Sequence, residues 1–118
     1  MISIRPEQAS AFDSYMRESF IERMVGHLRR SFPRQCATGS EESLRVRISH
    51  AMDRAAKYDI RKERDVARFL DVGMVFGENF DTECSWAAAH LGRSSEPSVR
   101  MKLLFDEAWQ KAKEQGLR

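Results

Sequence analysis

The sequence predicts an all-α protein, a single-domain antiparallel bundle of about five helices with a long first helix and an apolar central helix. Its 118 residues suit one domain, residues 1–118, large enough to bury a substantial core. Between residues 69 and 76, only Asp71 and Gly73 interrupt a run of large apolar side chains. A helix that is apolar on nearly all sides must be surrounded by other elements or by a partner, so this segment is the predicted central helix.

The first predicted helix opens at Pro6, because proline is accepted in the first turn of a helix, and it stops before Pro33. Apolar side chains recur in it every four residues, which is a helical period, and charged residues occupy the opposite side. This apolar ridge consists of Phe12, Met16, Phe20, Met24, Leu28 and Phe32. We therefore expect one long helix whose ridge packs on the core.

The second predicted helix follows Thr38, which together with Glu41 has the form of a capping box, and it runs to about Tyr58. Small side chains at Ala51 and Ala55 would let a neighbouring helix approach closely. The outer face of this helix is basic and consists of Arg45, Arg47, Arg54 and Lys57. Such a face is usually a solvated surface, and contact with phosphate is the weaker interpretation.

The central helix is predicted from near Lys62 to Gly77, since glycine commonly follows the last turn of a helix. Residues 78–82 are predicted to form a loop, in which Asp81 or Thr82 can cap the next helix.

A short fourth helix is predicted over residues 86–91, and a last helix begins at Pro97. The last helix carries an apolar stripe made of Met101, Leu104, Phe105, Ala108 and Ala112, with Leu103 and Trp109 at its edges. No segment of the sequence shows the alternation that is typical of a strand.

Charge and composition exclude several classes of protein. The net charge is +2, with 14 Lys and Arg against 10 Asp and Glu in residues 1–70 and 6 against 8 in residues 71–118. A protein that tracks phosphates needs a concentrated basic face, so this modest charge argues against nucleic-acid binding. The N-terminal sequence is too poor in apolar residues for a signal peptide, and no window approaches the length of a membrane span. We expect a cytoplasmic protein in which Cys36 and Cys84 are free thiols.

Residues that could carry chemistry are scattered along the chain. His27, Cys36, His50, Cys84 and His90 lack the close pairs from which zinc sites are built, and no activating motif surrounds either thiol. The acidic residues lack the alternating ligands of an EF-hand. A pair of carboxylates for glycoside hydrolysis stays open from sequence alone, although acids at a helix start usually serve capping. We predict no catalytic residue, no metal and no cofactor.

The segment after the central helix is the strongest indication of binding. From residue 71 to residue 92 there are four acidic residues and no Lys or Arg. An aromatic side chain among acids in a loop can anchor a basic partner. We therefore predict partner contacts from Glu78, Phe80, Asp81, Glu83 and Trp86.

Three segments taken together, residues 27–36, 58–81 and 86–89, carry a family resemblance. The chain resembles the small helical accessory proteins found beside type VI secretion effectors in Gram-negative bacteria, and is most similar to the co-chaperones of the co-TecT kind. Lys62 stands where those proteins carry a Ser-like cap, so the central helix is less well capped here. The resemblance implies a protein that is not an enzyme. It would bind an effector chaperone and assist the loading of an effector onto its PAAR spike.

Two other functions stay open at this point. An immunity protein that neutralises a co-encoded toxin would also work by binding, but it would block an active site. A small nucleic-acid-binding regulator would use the basic face of the second helix. The sequence does not specify the oligomeric state.

Overall fold

The computed structural model describes the backbone of residues 6–116 and the side chains of residues 14–116. Seven helices, and no strand, are found within that part of the chain, so the predicted all-α class is confirmed. The helices are α1 (Pro6–Ser31), α2 (Pro33–Cys36), α3 (Glu41–Lys57), α4 (Glu63–Phe76), α5 (Phe80–Glu83), α6 (Ser85–Leu91) and α7 (Pro97–Gln115). The five longer ones are the predicted helices, and α2 and α5 are additional single turns.

Successive long helices run antiparallel. Arg17, early in α1, lies 3.1 Å from Asp53 near the end of α3, whereas Arg29 at the end of α1 lies 3.6 Å from Glu41 at the start of α3. Helices α6 and α7 are also antiparallel, and His90 near the end of α6 lies 2.7 Å from Glu107 in the middle of α7.

Helices that are not successive run parallel to one another. The start of α4 contacts the start of α7, where Ser98 donates a hydrogen bond to Asp65. Further along both helices, the Arg68 guanidinium lies 5.5 Å above the Phe105 ring. The short α6 carries the chain back before α7 begins, so α4 and α7 point in the same direction.

Helix α4 is the central helix, as the sequence predicts. It contacts α1, α3, α5 and α7. It begins with Lys62 at the N-cap position, and no side chain caps it there. Its buried residues are Asp65, Val66, Phe69, Leu70, Val72, Gly73 and Met74.

Several local predictions about the first two long helices need correction. Met16 is 41% exposed, so the apolar ridge of α1 does not face the core along its whole length. The side chain of Phe12 lies outside the described residues. Pro33 ends α1 and also begins the turn α2. The cap of α3 is Ser40 rather than Thr38, since the Ser40 hydroxyl accepts a hydrogen bond from the backbone N–H of Ser43.

The segment predicted as a loop after α4 contains a helical turn instead. Gly77 has a φ of 105°, a backbone conformation that side-chain-bearing residues rarely adopt, and it ends α4 with a sharp change of direction. Helix α5 follows directly and holds Phe80 and Asp81. Neither Asp81 nor Thr82 caps the next helix, because Cys84 occupies the N-cap of α6 and no side chain makes a capping bond there.

A buried arginine ties α7 to the rest of the bundle. Arg100 is 8% exposed and donates hydrogen bonds to the carbonyl oxygens of Tyr58 at 2.7 Å, Leu91 at 2.9 Å and Ser95 at 3.0 Å. The carbonyls of Tyr58 and Leu91 lie at the ends of α3 and α6, where helix carbonyls lack partners within the helix, and that of Ser95 lies in the loop before α7. One guanidinium therefore joins three chain segments at the base of α7.

Candidate functional site

The acidic segment after α4 pairs with the basic face of α3. The Arg54 guanidinium donates from its Nε to Oδ1 of Asp81 at 3.0 Å, and the Tyr58 hydroxyl donates to Oδ2 at 2.7 Å. Asp81 is only 3% exposed, so its carboxylate is withdrawn from water and held by these two donors. Burial, and then the hydrogen bond to Asp81, raise the pKa of Tyr58 to about 12.

Other members of the basic face are also engaged within the chain. Arg47 donates to the carbonyl oxygen of Gly73 at 2.9 Å and lies 3.6 Å from a Glu78 oxygen. Arg45 forms an ion pair with Glu18 of α1. The basic face of α3 and the acidic segment were two separate binding predictions, and the fold places them against each other. Little unpaired charge of either sign is left there for a partner.

The prediction that Phe80 is an exposed anchor is wrong. Phe80 is 1% exposed, and its ring centroid lies 4.8 Å from that of Phe69. Gly73 faces the same ring, since a Cβ added there would lie 3.7 Å from it. Phe80 is a core residue in this structure, and the buried Asp81 is likewise not presented to a partner.

The remaining three predicted contact residues have different surroundings. Glu78 and Glu83 are exposed. Trp86 is half-buried, with its ring in edge-to-face contact with Phe76 at 5.2 Å and Lys111 5.6 Å above it. These three residues do not converge on one surface with Phe80, and their roles in partner binding stay predictions.

An apolar groove lies on another side of α4. A groove of about 270 Å³ runs between the end of α1 and α7, with α4 as its floor. Ser31 and Phe32 form one wall, and the other wall is the α7 stripe of Phe105, Ala108, Trp109 and Ala112. The floor consists of Asp71, Val72, Val75 and Phe76. Trp109 is 50% exposed here, an unusual position for the largest apolar side chain in a core stripe.

One polar pair stands at the floor of the groove. The His27 ring nitrogen Nε2 lies 2.7 Å from Oδ1 of Asp71, and both side chains are mostly buried. Burial raises the pKa of Asp71, and the hydrogen bond from His27 acts in the opposite direction. Because burial is the larger cause, the ionised carboxylate costs stability at neutral pH.

The surroundings of the groove are basic. Arg68 stacks on Phe105, a lining residue, and has no carboxylate within ion-pair distance among the described side chains. Arg30 and Arg34 flank the lining residues Ser31 and Phe32 in sequence, and Lys113 follows Ala112. These cations likewise form no ion pair within residues 14–116. Of the acids near the lining residues in sequence, Asp71, Asp106 and Glu107 are paired with His27, Lys102 and His90, and Glu114 forms no ion pair within residues 14–116.

The structure brings none of the candidate chemical residues into a catalytic or metal-binding cluster. Over the part of the chain that the structure describes, no three His, Cys, Asp or Glu side chains are arranged to hold a metal ion. Both cysteines are free thiols, as predicted. Burial and the nearby Glu83 raise the pKa of the Cys84 thiol, which leaves less of the nucleophilic thiolate at neutral pH.

The sequence analysis did not predict this groove, although several of its residues were noted there for other reasons. The α7 stripe and the edge position of Trp109 are visible in the sequence, and so is Asp71 as a break in the apolar run. What the sequence lacks is any sign that the end of α1 stops short of α7, which leaves Val75 and Phe76 half-exposed between them.

Among the described helices, none combines the length and the apolar character required to cross a bilayer. No protein-family model matches the chain, and neither a curated protein nor a solved structure is significantly similar to it.

Proposed function

We propose that this protein is a non-enzymatic protein-interaction module, and that it acts as a co-chaperone for type VI secretion. In that role it binds an effector chaperone and assists the loading of the effector onto its PAAR spike. The observation that supports an interaction role is the open apolar groove between α1, α4 and α7, with Trp109 at its wall. The choice of partner rests on the family resemblance of the sequence.

An exposed apolar groove favours binding to another protein over chemistry. A contiguous apolar surface in contact with water costs free energy, and folded proteins usually keep one where a partner covers it. Aromatic side chains in such a surface supply much of the binding energy of protein interfaces. Among the lining residues, only Ser31 and Asp71 are short polar side chains, and Asp71 is paired with His27.

The distribution of charge argues against a nucleic-acid-binding regulator. The basic face of α3 was the surface available for phosphate, and Arg45, Arg47 and Arg54 are each engaged with a carboxylate of this chain. Neutralising these cations removes the counterion release that drives protein binding to a phosphate backbone.

Co-expression with a type VI effector chaperone from the same bacterium tests the proposal. We expect the two to elute as one stoichiometric complex in size-exclusion chromatography, with a dissociation constant of about 1 μM or lower by titration calorimetry. A purified, unrelated secretion chaperone is the matched control. Three results would overturn the co-chaperone role: no complex with the chaperone, inhibition of a toxin domain by direct binding, or salt-sensitive retention on DNA.

A further inference from the structure

We propose that the groove between α1, α4 and α7 binds an amphipathic α-helix of the partner protein, with apolar side chains entering the groove and acidic residues on both flanks. This inference rests on the proposed function as a protein-interaction module. It adds the surface that is used and the chemistry of the segment that occupies it.

The first argument concerns the backbone of the occupant. The groove floor is α4, and its walls are the last turn of α1 with Phe32 and a length of α7. Helices satisfy their own backbone groups, so the floor and the α7 wall offer no free edge to which an extended peptide could add a strand. An extended segment would lose the hydration of its N–H and C=O groups against Val75 and Phe76 without gaining partners. The backbone N–H and C=O groups of a helix are already paired within the helix, so a helical segment loses no backbone hydrogen bonds when it binds there.

The second argument concerns size and shape. A volume of about 270 Å³ lies below the range of roughly 300–1,000 Å³ that small-molecule pockets occupy. The helices α1, α4 and α7 all run in the same direction beside it. A channel of this form matches a row of apolar side chains at the i, i+4 and i+7 positions of a helix.

The third argument is charge complementarity. Arg68 lies on the Phe105 ring at the α7 wall, and Arg34 and Lys113 adjoin the lining residues in sequence. None of these three cations has an ion-pair partner among the described residues. Of the nearby acids, Asp71, Asp106 and Glu107 are paired and only Glu114 is not, so unpaired positive charge is in excess beside the groove. Cations beside an apolar surface favour a ligand with carboxylates next to its apolar stripe and disfavour one with lysines there.

Two synthetic peptides test the occupant directly. Both have 18 residues and the same leucine stripe at helical spacing, and they differ only in carrying Glu or Lys at the flanking positions. The Trp86→Phe variant leaves Trp109 as the reporting tryptophan at the groove. When the peptides are added to this variant in about 0.05 M salt, we expect the Glu peptide to shift the fluorescence emission of Trp109 to the blue. We also expect it to bind at least tenfold more tightly than the Lys peptide, with a preference that shrinks as salt is raised.

Matched variants locate the binding site. Val75→Glu places a charge on the groove floor, and we expect it to weaken the binding of the Glu peptide at least tenfold. Val46→Glu makes the same change at an exposed valine of α3 and should leave binding unchanged. Arg68→Glu should reduce or reverse the preference between the two peptides. Circular dichroism of each variant, with Trp109→Ala as a second groove variant, separates loss of binding from loss of folding.

The possible results separate failure of this inference from failure of the proposed function. The inference is wrong if the two peptides bind equally, if Val75→Glu binds as tightly as the parent, or if the groove instead mediates dimerisation that Val75→Glu abolishes. If the effector chaperone binds Val75→Glu and Trp109→Ala at full affinity, the co-chaperone role stands and the groove is not its site. If the Glu peptide binds in the groove but the chaperone does not bind the protein, the helix-binding surface stands and the co-chaperone role fails.

Discussion

The two sides of α4 differ in how completely they are covered. On the side of α3 and α5, Phe69 is sealed by the ring of Phe80, and the Arg54–Asp81 pair closes the edge of that contact. On the side of α1 and α7, Val75 remains half-exposed at the floor of a groove. The helix is apolar on both sides, so its composition does not explain the difference. What differs is the packing around it: Gly77 turns α5 back onto one side, whereas on the other side α1 and α7 leave Val75 between them.

The largest expected effect comes from opening the sealed side. Phe80→Ala removes a fully buried ring that contacts Phe69, and we expect a loss of about 4 kcal/mol in the free energy of unfolding. Urea denaturation followed by circular dichroism measures it. Val75→Ala, on the open side of the same helix, should cost about 1 kcal/mol or less. Similar costs at the two positions would show that the two sides do not differ as described.

The second effect tests the ion pair that closes the sealed side. Asp81→Ala leaves the Arg54 guanidinium and the Tyr58 hydroxyl without their shared acceptor, and we expect a loss of about 3 kcal/mol. Glu83→Ala changes a nearby exposed acid and serves as the control, with an expected effect of about 0.5 kcal/mol or less. If Asp81→Ala were as mild as the control, the network would not be what holds α5 in place.

The third effect has a pH signature. Tyr58→Phe removes one hydrogen bond to a carboxylate, so we expect a loss of about 1.5 kcal/mol near pH 7. The pKa of Tyr58 is raised to about 12 in the folded protein, against about 10 in an unfolded chain. The stabilisation is therefore complete below pH 10 and is lost as the pH rises towards 12. The difference in unfolding free energy between parent and variant should narrow over that interval, and a constant difference would contradict this assignment.

The smallest effect is expected on the open side and has the opposite sign. Burial raises the pKa of Asp71, so the carboxylate contributes stability only at low pH, and that contribution is lost as the pH rises through the folded-state pKa. At pH 7 the ionised carboxylate of Asp71 therefore lowers the free energy of unfolding. Asp71→Asn keeps an oxygen that can accept a hydrogen bond from His27. It should leave the free energy of unfolding at pH 7 unchanged or raise it by up to about 1 kcal/mol, with a matching rise in the unfolding temperature. A marked drop in the unfolding temperature would identify the His27–Asp71 pair as a structural contact.

Much of the fold was predictable from local signals. The apolar run of α4 and the ridge of α1 predict helices because their side chains repeat at a helical period, and Pro97 and Gly77 mark helix ends through their backbone preferences. The one-turn helix α5 was missed because four residues are too few to show a period. The acidic segment that contains α5 also suggested a loop, because the arginine that pairs with it is distant in sequence.

The candidate site was only partly predictable for a related reason. Phe80 looked exposed because its neighbours in sequence are acidic, yet its neighbours in space are Phe69 and Gly73. Asp81 looked available because nothing in the sequence links it to Arg54, which lies 27 positions away. Burial and pairing of this kind depend on which helices meet, and one sequence does not state that.

By itself, the sequence determined that this chain forms helices, where the long ones begin and end, and which of them is apolar enough to lie at the centre. Each of these properties depends on residues within a few turns of one another. Only the tertiary structure decided that the acidic segment neutralises the basic face of α3 and that the apolar surface left over lies between α1 and α7. Those outcomes depend on the directions and distances of helices far apart in the chain, because a side chain is covered or left open by whatever packs against it.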